Sequence, residues 1–424
     1  PFRHICYPNI LYCEADMAQG YLQVDVVSDT NNFPITDASI SISKTETPEE
    51  ILEEVRTDSS GQTENVALEA PPAELSLAPS GERPYAEYTI RITAPGYEPL
   101  VISGTEILAD ATAIQPARMI PAADLGGEED ITIPDHTLYG NYPPKIAESE
   151  IKPVTGSGEI VLSRVVVPQT VIVHDGVPTN ASAPDYYVPY RDYIKNVASS
   201  EIYATWPKSS ITANVLAIMS FTLNRVYTEW YRAKGYSFTI TSSTAYDQKF
   251  IYGRNIYSNI DRLVDSIFAN YLSRPGVRQP IFTSYCDGNR VSCQGLSQWG
   301  SKYLGDQGYS AIEIIRYYYG NDMYINAAQA ISGVPSSWPG YDLTIGASGP
   351  KVRQIQEQLN RIAQNYPAIP TVTVDGIFGS ATTESVRAFQ SIFNLPVSGI
   401  VDFPTWYKIS QIYVGVSKIG ENIR

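Results

Sequence analysis

The hydrophobic pattern changes its period along this chain of 424 residues. Over residues 18–115 apolar and polar side chains alternate, as they do around Val24, which indicates half-buried β-strands. From residue 186 onwards apolar side chains recur three or four positions apart, as around Val215, which indicates helices. Because the chain is also too long for one ordinary domain, we predict a multidomain α+β protein.

Turn signals and composition divide the chain further. Pro, Gly and acidic residues dominate the stretch between the two patterns, which favours a long connection with a few strands, such as 159–167 and 170–174. In the first long helix, Ser209 or Ser210 is the expected N-cap. We predict a leader or tail at 1–17, an N-terminal antiparallel β-sandwich at 18–115, a linker at 116–185, a central mixed α/β domain at 186–330 and a small C-terminal helical module at 343–424.

The negative charge is confined to the N-terminal part. The whole chain has 30 basic and 45 acidic residues, a net charge of −15, but residues 1–160 alone hold 8 basic and 27 acidic ones, a net of −19. The remainder therefore carries +4, which suggests that the two parts have different roles. The overall sign disfavours nucleic acid as a partner. No apolar run approaches 18 residues, so no membrane span is expected.

Several kinds of active site are disfavoured by the residues they would need. The three histidines, His4, His136 and His174, form no metal-binding spacing, and no phosphate-binding loop or nucleophile elbow is present. We therefore expect no metal and no cofactor. The four cysteines, Cys6, Cys13, Cys286 and Cys293, are too few for a disulfide scaffold and say little about compartment.

One carboxylate stands out in the central domain. Glu201 follows a run of small residues and precedes Ile202 and the Trp206-Pro207 corner. A carboxyl group between apolar neighbours can have its pKa raised by desolvation, which suits a general acid for a glycosidic oxygen. On the local sequence alone, an ordinary surface or N-cap glutamate is the favoured interpretation.

Two flanking parts of the chain resemble known non-catalytic modules. The strands and turns of residues 24–100 resemble the carboxypeptidase-regulatory-like or transthyretin-like sandwich. Residues 343–406 resemble the peptidoglycan-binding type 1 module, at the Gly346, Gly349 and Val352 opening and again at Phe389-Gln390. Core and turn roles account for most of these matching residues. The second resemblance implies peptidoglycan as a partner.

Three parts of the central domain form a recognisable set: the string around Glu201, the segment containing Asp247 and Gln248, and the Ser-Gln-Trp-Gly string that starts with Ser297 and Gln298. On these strings the central domain resembles the SpoIID-like family over residues 186–325. It implies that Glu201 is the catalytic acid of a lytic transglycosylase, and that the other four line the glycan cleft. Hydrogen bonds that fix loops are the alternative role for each of those four.

The central domain also departs from its family. Met219 stands where the family has an arginine, and Ser292 where it commonly has a histidine. Some family members hold zinc with His and Cys in this region, but here only Cys286 and Cys293 remain, so a metal is not expected. The sequence leaves two alternatives open for these cysteines: free thiols, or a disulfide bridge between them.

The order of the modules resembles the spore cortex-lytic enzymes of anaerobic spore formers. That resemblance implies a germination enzyme of the bacterial spore that cleaves the glycan strands of cortex peptidoglycan. It also implies an inactive precursor, activated when a subtilisin-like Csp protease cuts it, and we expect that cut between residues 111 and 167. The alternative is a peptidoglycan-binding scaffold with a degenerate central domain.

Overall fold

The structure is a computed structural model that describes residues 17–30, 32–122, 127–147, 164–328, 330–332 and 338–417. Within these ranges it contains eight α-helices and several β-sheets, so the chain is a mixed α+β protein. No helix in the described ranges is long and apolar enough to cross a membrane. Residues 1–16 of the expected leader, residues 123–126 and 148–163 of the expected cleavage region, and the first half of the expected strand at 159–167 lie outside the described residues.

The N-terminal part is built from two sheets that face each other across an apolar core. Its strands are β1 (Ala18–Ser28), β2 (Ser39–Lys44), β3 (Ile51–Arg56), β4 (Val66–Ala70), β5 (Ala86–Thr93), β6 (Leu100–Ile107), β7 (Thr112–Met119) and β8 (Glu129–Thr132). One sheet has the strand order β3-β2-β5-β6-β8. Alternate residues of β1 and β2 are buried, as the period of two predicts.

Two details of this part differ from the prediction. The sheets are mixed, because β1 pairs with β7 in parallel and β6 pairs with β8 in parallel, so the sandwich is not purely antiparallel. The strands also continue past residue 115, since β7 crosses that position and β8 follows it. The alternation in β7 is interrupted by Pro116, which is why the sequence pattern ended too early.

The central part packs helices around one buried helix. Its helices are α1 (Tyr190–Glu201), α2 (Lys208–Tyr227), α3 (Ser258–Ile267), α4 (Gln298–Asp306) and α5 (Ala311–Tyr319). Helix α2 is buried on almost every face, and α1, α4 and α5 all contact it. The N-cap of α2 is Pro207, not Ser209 or Ser210. Ser210 instead lies inside the helix and shares a hydrogen bond with Ser301 of α4.

Short strands connect these helices. They are β9 (Val166–Val167), β10 (Thr170–His174), β11 (Asp185–Pro189), β12 (Ile240–Thr241), β13 (Ile256–Tyr257), β14 (Asn270–Ser273), β15 (Tyr285–Cys286), β16 (Leu296–Ser297), β17 (Tyr324–Ala327) and β18 (Ala330–Ile331). The predicted strand at 170–174 is present as β10. Strand β13 pairs with β7 and so completes the other sheet of the N-terminal part, β13-β7-β1-β4.

The C-terminal module repeats one helix-and-turn unit. Its helices are α6 (Pro350–Ala363), α7 (Ser380–Ile392) and α8 (Phe403–Ser417). In α6 the buried Gln356 amide donates to the Ile377 carbonyl and accepts from the Gly376 amide. In α7 the buried Gln390 amide bonds in the same way to the Ile400 carbonyl and the Gly399 amide. Each glycine has a positive φ, near 75°, that the turn requires.

A buried cluster of charges joins the C-terminal module to the central part. Lys195 of α1 lies 2.5 Å from Asp261 and 2.9 Å from Asp265, both on α3. Arg191 of α1 and Lys408 of α8 also contact the Asp265 carboxylate, at 3.2 and 3.1 Å. These cations hold the pKa of Asp265 below its ordinary value in spite of its burial. The cluster is charge-paired, as buried ions have to be.

Candidate active site

The side chain of Glu201 lies at the end of α1 and is completely buried. One carboxylate oxygen accepts a hydrogen bond from the Lys249 backbone amide at 2.6 Å, and the other accepts one from Gln298 Nε2 at 3.1 Å. The Tyr285 phenol faces the same carboxyl group. Burial raises the pKa of Glu201, and the nearby Lys145 ammonium is the strongest of the groups that oppose this rise. The expected desolvated carboxyl is therefore present.

The local sequence explains why the helix presents Glu201 at this point. Ile202 adopts an extended conformation and ends α1, and the chain then turns through Trp206 into Pro207, directly before α2. Eleven of the twelve residues of α1 are buried, so its last turn is held on all sides. The Glu201 side chain is thus fixed by packing and not by a surface loop.

The Ser-Gln-Trp-Gly string, residues 297–300, contacts Glu201 in the folded chain. Ser297 caps α4 by accepting a hydrogen bond from the Gly300 amide at 2.9 Å. Gln298, the first residue of that helix, is fully buried and donates to Glu201. The Trp299 ring packs on the Trp206 ring, with centroids 4.9 Å apart. A side chain at position 300 would collide with the Tyr318 hydroxyl, which explains the glycine.

Asp247 and Gln248 lie near Glu201 but use their polar atoms inside the protein. The Asp247 carboxylate pairs with Arg225 at 2.8 Å and accepts from Tyr231 at 2.6 Å. The Gln248 amide oxygen accepts hydrogen bonds from Tyr193 and Thr222, and the Gln248 Nε2 donates to the Ile218 carbonyl. Both residues are fully buried. These bonds fix the loop that places the Lys249 amide on Glu201, which is the alternative role considered above, and contact with glycan stays a prediction.

Three residues of the site were not found from the sequence. Arg225 is a buried cation in an apolar helix, and its charge would have indicated a buried acidic partner. Tyr285 follows no motif. Lys145 lies in the segment taken as linker, yet its ammonium donates to the Asp247 carbonyl at 2.5 Å and lies 5.4 Å from the Tyr285 ring centre. Burial lowers its pKa to about 8, although Glu201 and Asp247 act in the opposite direction.

Cys286 and Cys293 form a disulfide bridge, which decides between the two open alternatives. The bridged loop contains Asp287, whose buried carboxylate accepts from the Asn289 and Val291 amides. It also contains Ser292, at the family's histidine position. The other departure, Met219, is a buried core residue of α2.

Comparison with known proteins concerns mainly the C-terminal module. Residues 348–409 match the family PG_binding_1, described as a peptidoglycan binding domain. A zinc D-Ala-D-Ala carboxypeptidase of Streptomyces albus G is 40% identical over 77 residues, which is 18% of this chain and 28% of that protein. The chain thus spans less than a third of the length of this curated relative.

Two solved structures are similar to parts of the chain. The SleB N-terminal domain is 31% identical and covers 18% of this chain and 99% of its own, with a TM-score of 0.16. The 5-hydroxyisourate hydrolase of Klebsiella pneumoniae is 15% identical and covers 24% of this chain and 92% of its own, with a TM-score of 0.17. The family match confirms the predicted module: the C-terminal part of the chain is a peptidoglycan-binding domain, and peptidoglycan is supported as a partner.

Proposed function

We propose that this protein is a spore cortex-lytic enzyme of the SleC type, a lytic transglycosylase with Glu201 as its acid. The observation that carries the proposal is a fully buried carboxyl group of raised pKa, oriented by the Lys249 amide and by Gln298. The peptidoglycan-binding domain on the same chain supports glycan strands as the substrate. The SpoIID-like resemblance implies which bond is cleaved, namely the glycosidic bond between N-acetylmuramic acid and N-acetylglucosamine.

The proposed reaction needs one carboxyl group. Protonated Glu201 gives its proton to the glycosidic oxygen as the bond to C1 of the muramyl residue breaks. The resulting carboxylate then takes the proton of the muramyl 6-hydroxyl as that oxygen bonds to C1, which leaves a 1,6-anhydro end and consumes no water. The raised pKa keeps the acid form present at a higher pH than an exposed glutamate would allow.

The neighbouring carboxylates are already engaged, which fits a reaction with a single acid. Asp247 is paired with Arg225, and Asp287 accepts from backbone amides of the disulfide-bridged loop and from Arg290. A hydrolase with two carboxylates would need a second one free to activate water or to attack C1.

The activation and location of the enzyme follow from the same resemblance and form part of the proposal. The precursor would be stored at the cortex or outer layers of the spore and cut by a subtilisin-like Csp protease. Residues 112–119 form the paired strand β7, which protects them from a protease, so we place the cut after this strand, in residues 120–167. Ala147 and Arg164 in this range are exposed.

Digestion of purified cortex by the cleaved protein tests the activity. Glu201→Gln should lower the rate by about 10²–10⁴-fold, whereas Asp306→Asn, an exposed acid-to-amide control on α4, should not change it. The parent rate should fall as pH rises through the raised pKa of Glu201, because the acid form is lost. Anhydro-muramyl ends support the proposal, and ordinary reducing ends indicate a hydrolase. Absence of soluble muropeptides indicates a scaffold, and full activity of Glu201→Gln excludes this residue as the acid.

A further inference from the structure

Residues 136–146, which the sequence places in a linker, are fixed over the end of α1 by several hydrogen bonds. The Thr137 amide donates to the Ser200 carbonyl at 3.3 Å, next to Glu201 in the chain. The Arg290 side chain donates to three backbone carbonyls of the segment, those of Thr137, Tyr139 and Gly140. The segment therefore belongs to the folded surroundings of the candidate acid.

The far end of this segment brings Lys145 to the loop that orients Glu201. The half-buried Lys145 ammonium donates to the Asp247 carbonyl at 2.5 Å. Two residues further along, the Lys249 amide donates to the Glu201 carboxylate at 2.6 Å. The same short loop, residues 245–249, is thus bonded to both the ammonium and the carboxylate.

Aromatic rings and a neighbouring ion pair direct the charge of Lys145 towards Glu201. The Lys145 Nζ lies 5.4 Å from the ring centre of Tyr285, whose phenol faces Glu201. The Asp247 carboxylate is already paired with Arg225 at 2.8 Å, so it is only the uncharged carbonyl of Asp247 that receives the ammonium. Of the two acids that attract Lys145, Glu201 has the larger effect.

The other titratable groups near Glu201 leave Lys145 as the dominant charge. The groups that act on Glu201 come from the segment, from α1, from the loop and from β15, and they are Tyr142, Lys145, Tyr193, Lys249 and Tyr285. Burial raises the pKa of each tyrosine, so all three phenols are uncharged at neutral pH. Of the two lysines, Lys145 has the larger effect on the pKa of Glu201.

We propose that Lys145 is a positioning residue of the candidate site, whose ammonium stabilises the carboxylate that Glu201 becomes when it gives its proton to the glycosidic oxygen. The proposal deepens the proposed function and rests on it. Burial alone favours the neutral acid and so opposes loss of the proton. A nearby cation favours the charged form, which brings the two forms of Glu201 closer in free energy. A single carboxyl group that gives a proton and then takes one back needs that balance.

The titration of Glu201 tests this link without any glycan. In the full chain labelled with ¹³C at the glutamate carboxyl groups, the resonance that Glu201→Gln removes identifies Glu201. Lys145→Met should move its titration midpoint to a pH about one unit higher, because loss of the cation favours the protonated form. Lys302→Met is the control, since this lysine is also half-buried but pairs with Asp306 on α4, and it should leave the midpoint in place.

The pH profile of cortex digestion by the cleaved protein tests the consequence for the reaction. Lys145→Met should lower the maximal rate about three- to tenfold. Its rate should also fall at a higher pH than that of the parent, so the ratio of variant to parent rate should rise with pH. The comparison applies below about pH 8, where Lys145 is still charged, because burial lowers its pKa to about 8. If Lys145 served only to anchor the Asp247 carbonyl, the ratio would be the same at every pH.

The outcomes separate this inference from the proposed function. An unchanged Glu201 midpoint in Lys145→Met, an equal shift in Lys302→Met, or a rate ratio independent of pH would overturn the role of Lys145, even if Glu201→Gln is inactive. If the midpoint moves as expected but Glu201→Gln digests cortex as fast as the parent, the link between Lys145 and Glu201 stands and the proposed function fails.

Discussion

The Arg254–Glu106 pair gives the sharpest test of how the N-terminal sandwich is attached. Glu106→Ala removes two charge-assisted hydrogen bonds and leaves a guanidinium that has no exposure to water. The Nε of Arg254 already has no hydrogen-bond partner among the described residues. A change of this kind strands a buried charge, for which the expected loss of stability is about 3–5 kcal/mol.

Two comparisons separate the stranded charge from the lost contact. Replacing both partners, as Glu106→Leu with Arg254→Met, removes the charge together with its counter-ion, so we expect most of the loss to be recovered, to within about 1 kcal/mol of the parent. Glu69→Ala deletes the acid of the Lys44–Glu69 pair, whose side chains are 44% and 62% exposed, and should cost less than about 1 kcal/mol.

Urea unfolding followed by tryptophan fluorescence measures these differences, because Trp206 contacts the sandwich through Ser76. The urea midpoint should be highest for the parent and slightly lower for Glu69→Ala. The double replacement should have a midpoint close to that of Glu69→Ala, and Glu106→Ala should have a far lower one. A Glu106→Ala midpoint equal to that of Glu69→Ala would refute the reasoning, since it would mean that Arg254 finds water or another partner when its carboxylate is removed.

Three further outcomes are expected. Replacing Cys286 and Cys293 with serine opens a loop with a sequence separation of 7 and should lower the free energy of unfolding by about 2–3 kcal/mol; an unchanged thermal midpoint would contradict this. Burial holds the pKa of His136 well below its ordinary value, so its contribution to stability is full above the unfolded pKa of about 6.5 and falls as pH drops below it. His136→Gln should therefore flatten the pH dependence of the urea midpoint between pH 7 and 5, and parallel curves for the two proteins would be the opposite result. Gln390→Leu leaves two turn amides without their acceptor and should cost about 2–4 kcal/mol, seen as weaker pull-down on insoluble peptidoglycan as urea is raised, with exposed Glu384→Gln as the control that should match the parent.

The sequence predicted the elements that depend on local pattern. The alternation that includes Val24 gave the strands of the sandwich, and the spacing around Val215 gave the long helix α2, because both signals reflect one buried face of a regular element. The prediction of an antiparallel sandwich was wrong for two pairings, since strand direction depends on which strands meet and not on the pattern within each. The N-cap of α2 was misplaced because the helix is capped at Pro207, two residues before Ser209.

In the candidate site, too, the sequence identified residues that lie in local motifs but not the contacts that depend on the fold. Glu201 was found because its local string resembles a family motif, and the Ser-Gln-Trp-Gly string was found in the same way. The hydrogen bond between Gln298 and Glu201 joins residues 97 positions apart, so only the fold could show it. Lys145 was missed because the residues around it are typical of a linker, and its role depends on the contacts it makes after folding.

By itself the sequence determined which residues could form strands and helices, where the acidic charge lies, and that the C-terminal module resembles a peptidoglycan-binding domain. Only the tertiary structure decided that β13 of the central part completes a sheet of the sandwich, that Cys286 and Cys293 are bridged, and that Thr137 contacts the end of α1 at Ser200. The physical reason is that burial, and with it the raised pKa of Glu201, is a property of distant segments packed together, whereas periodicity and motif are properties of neighbouring residues.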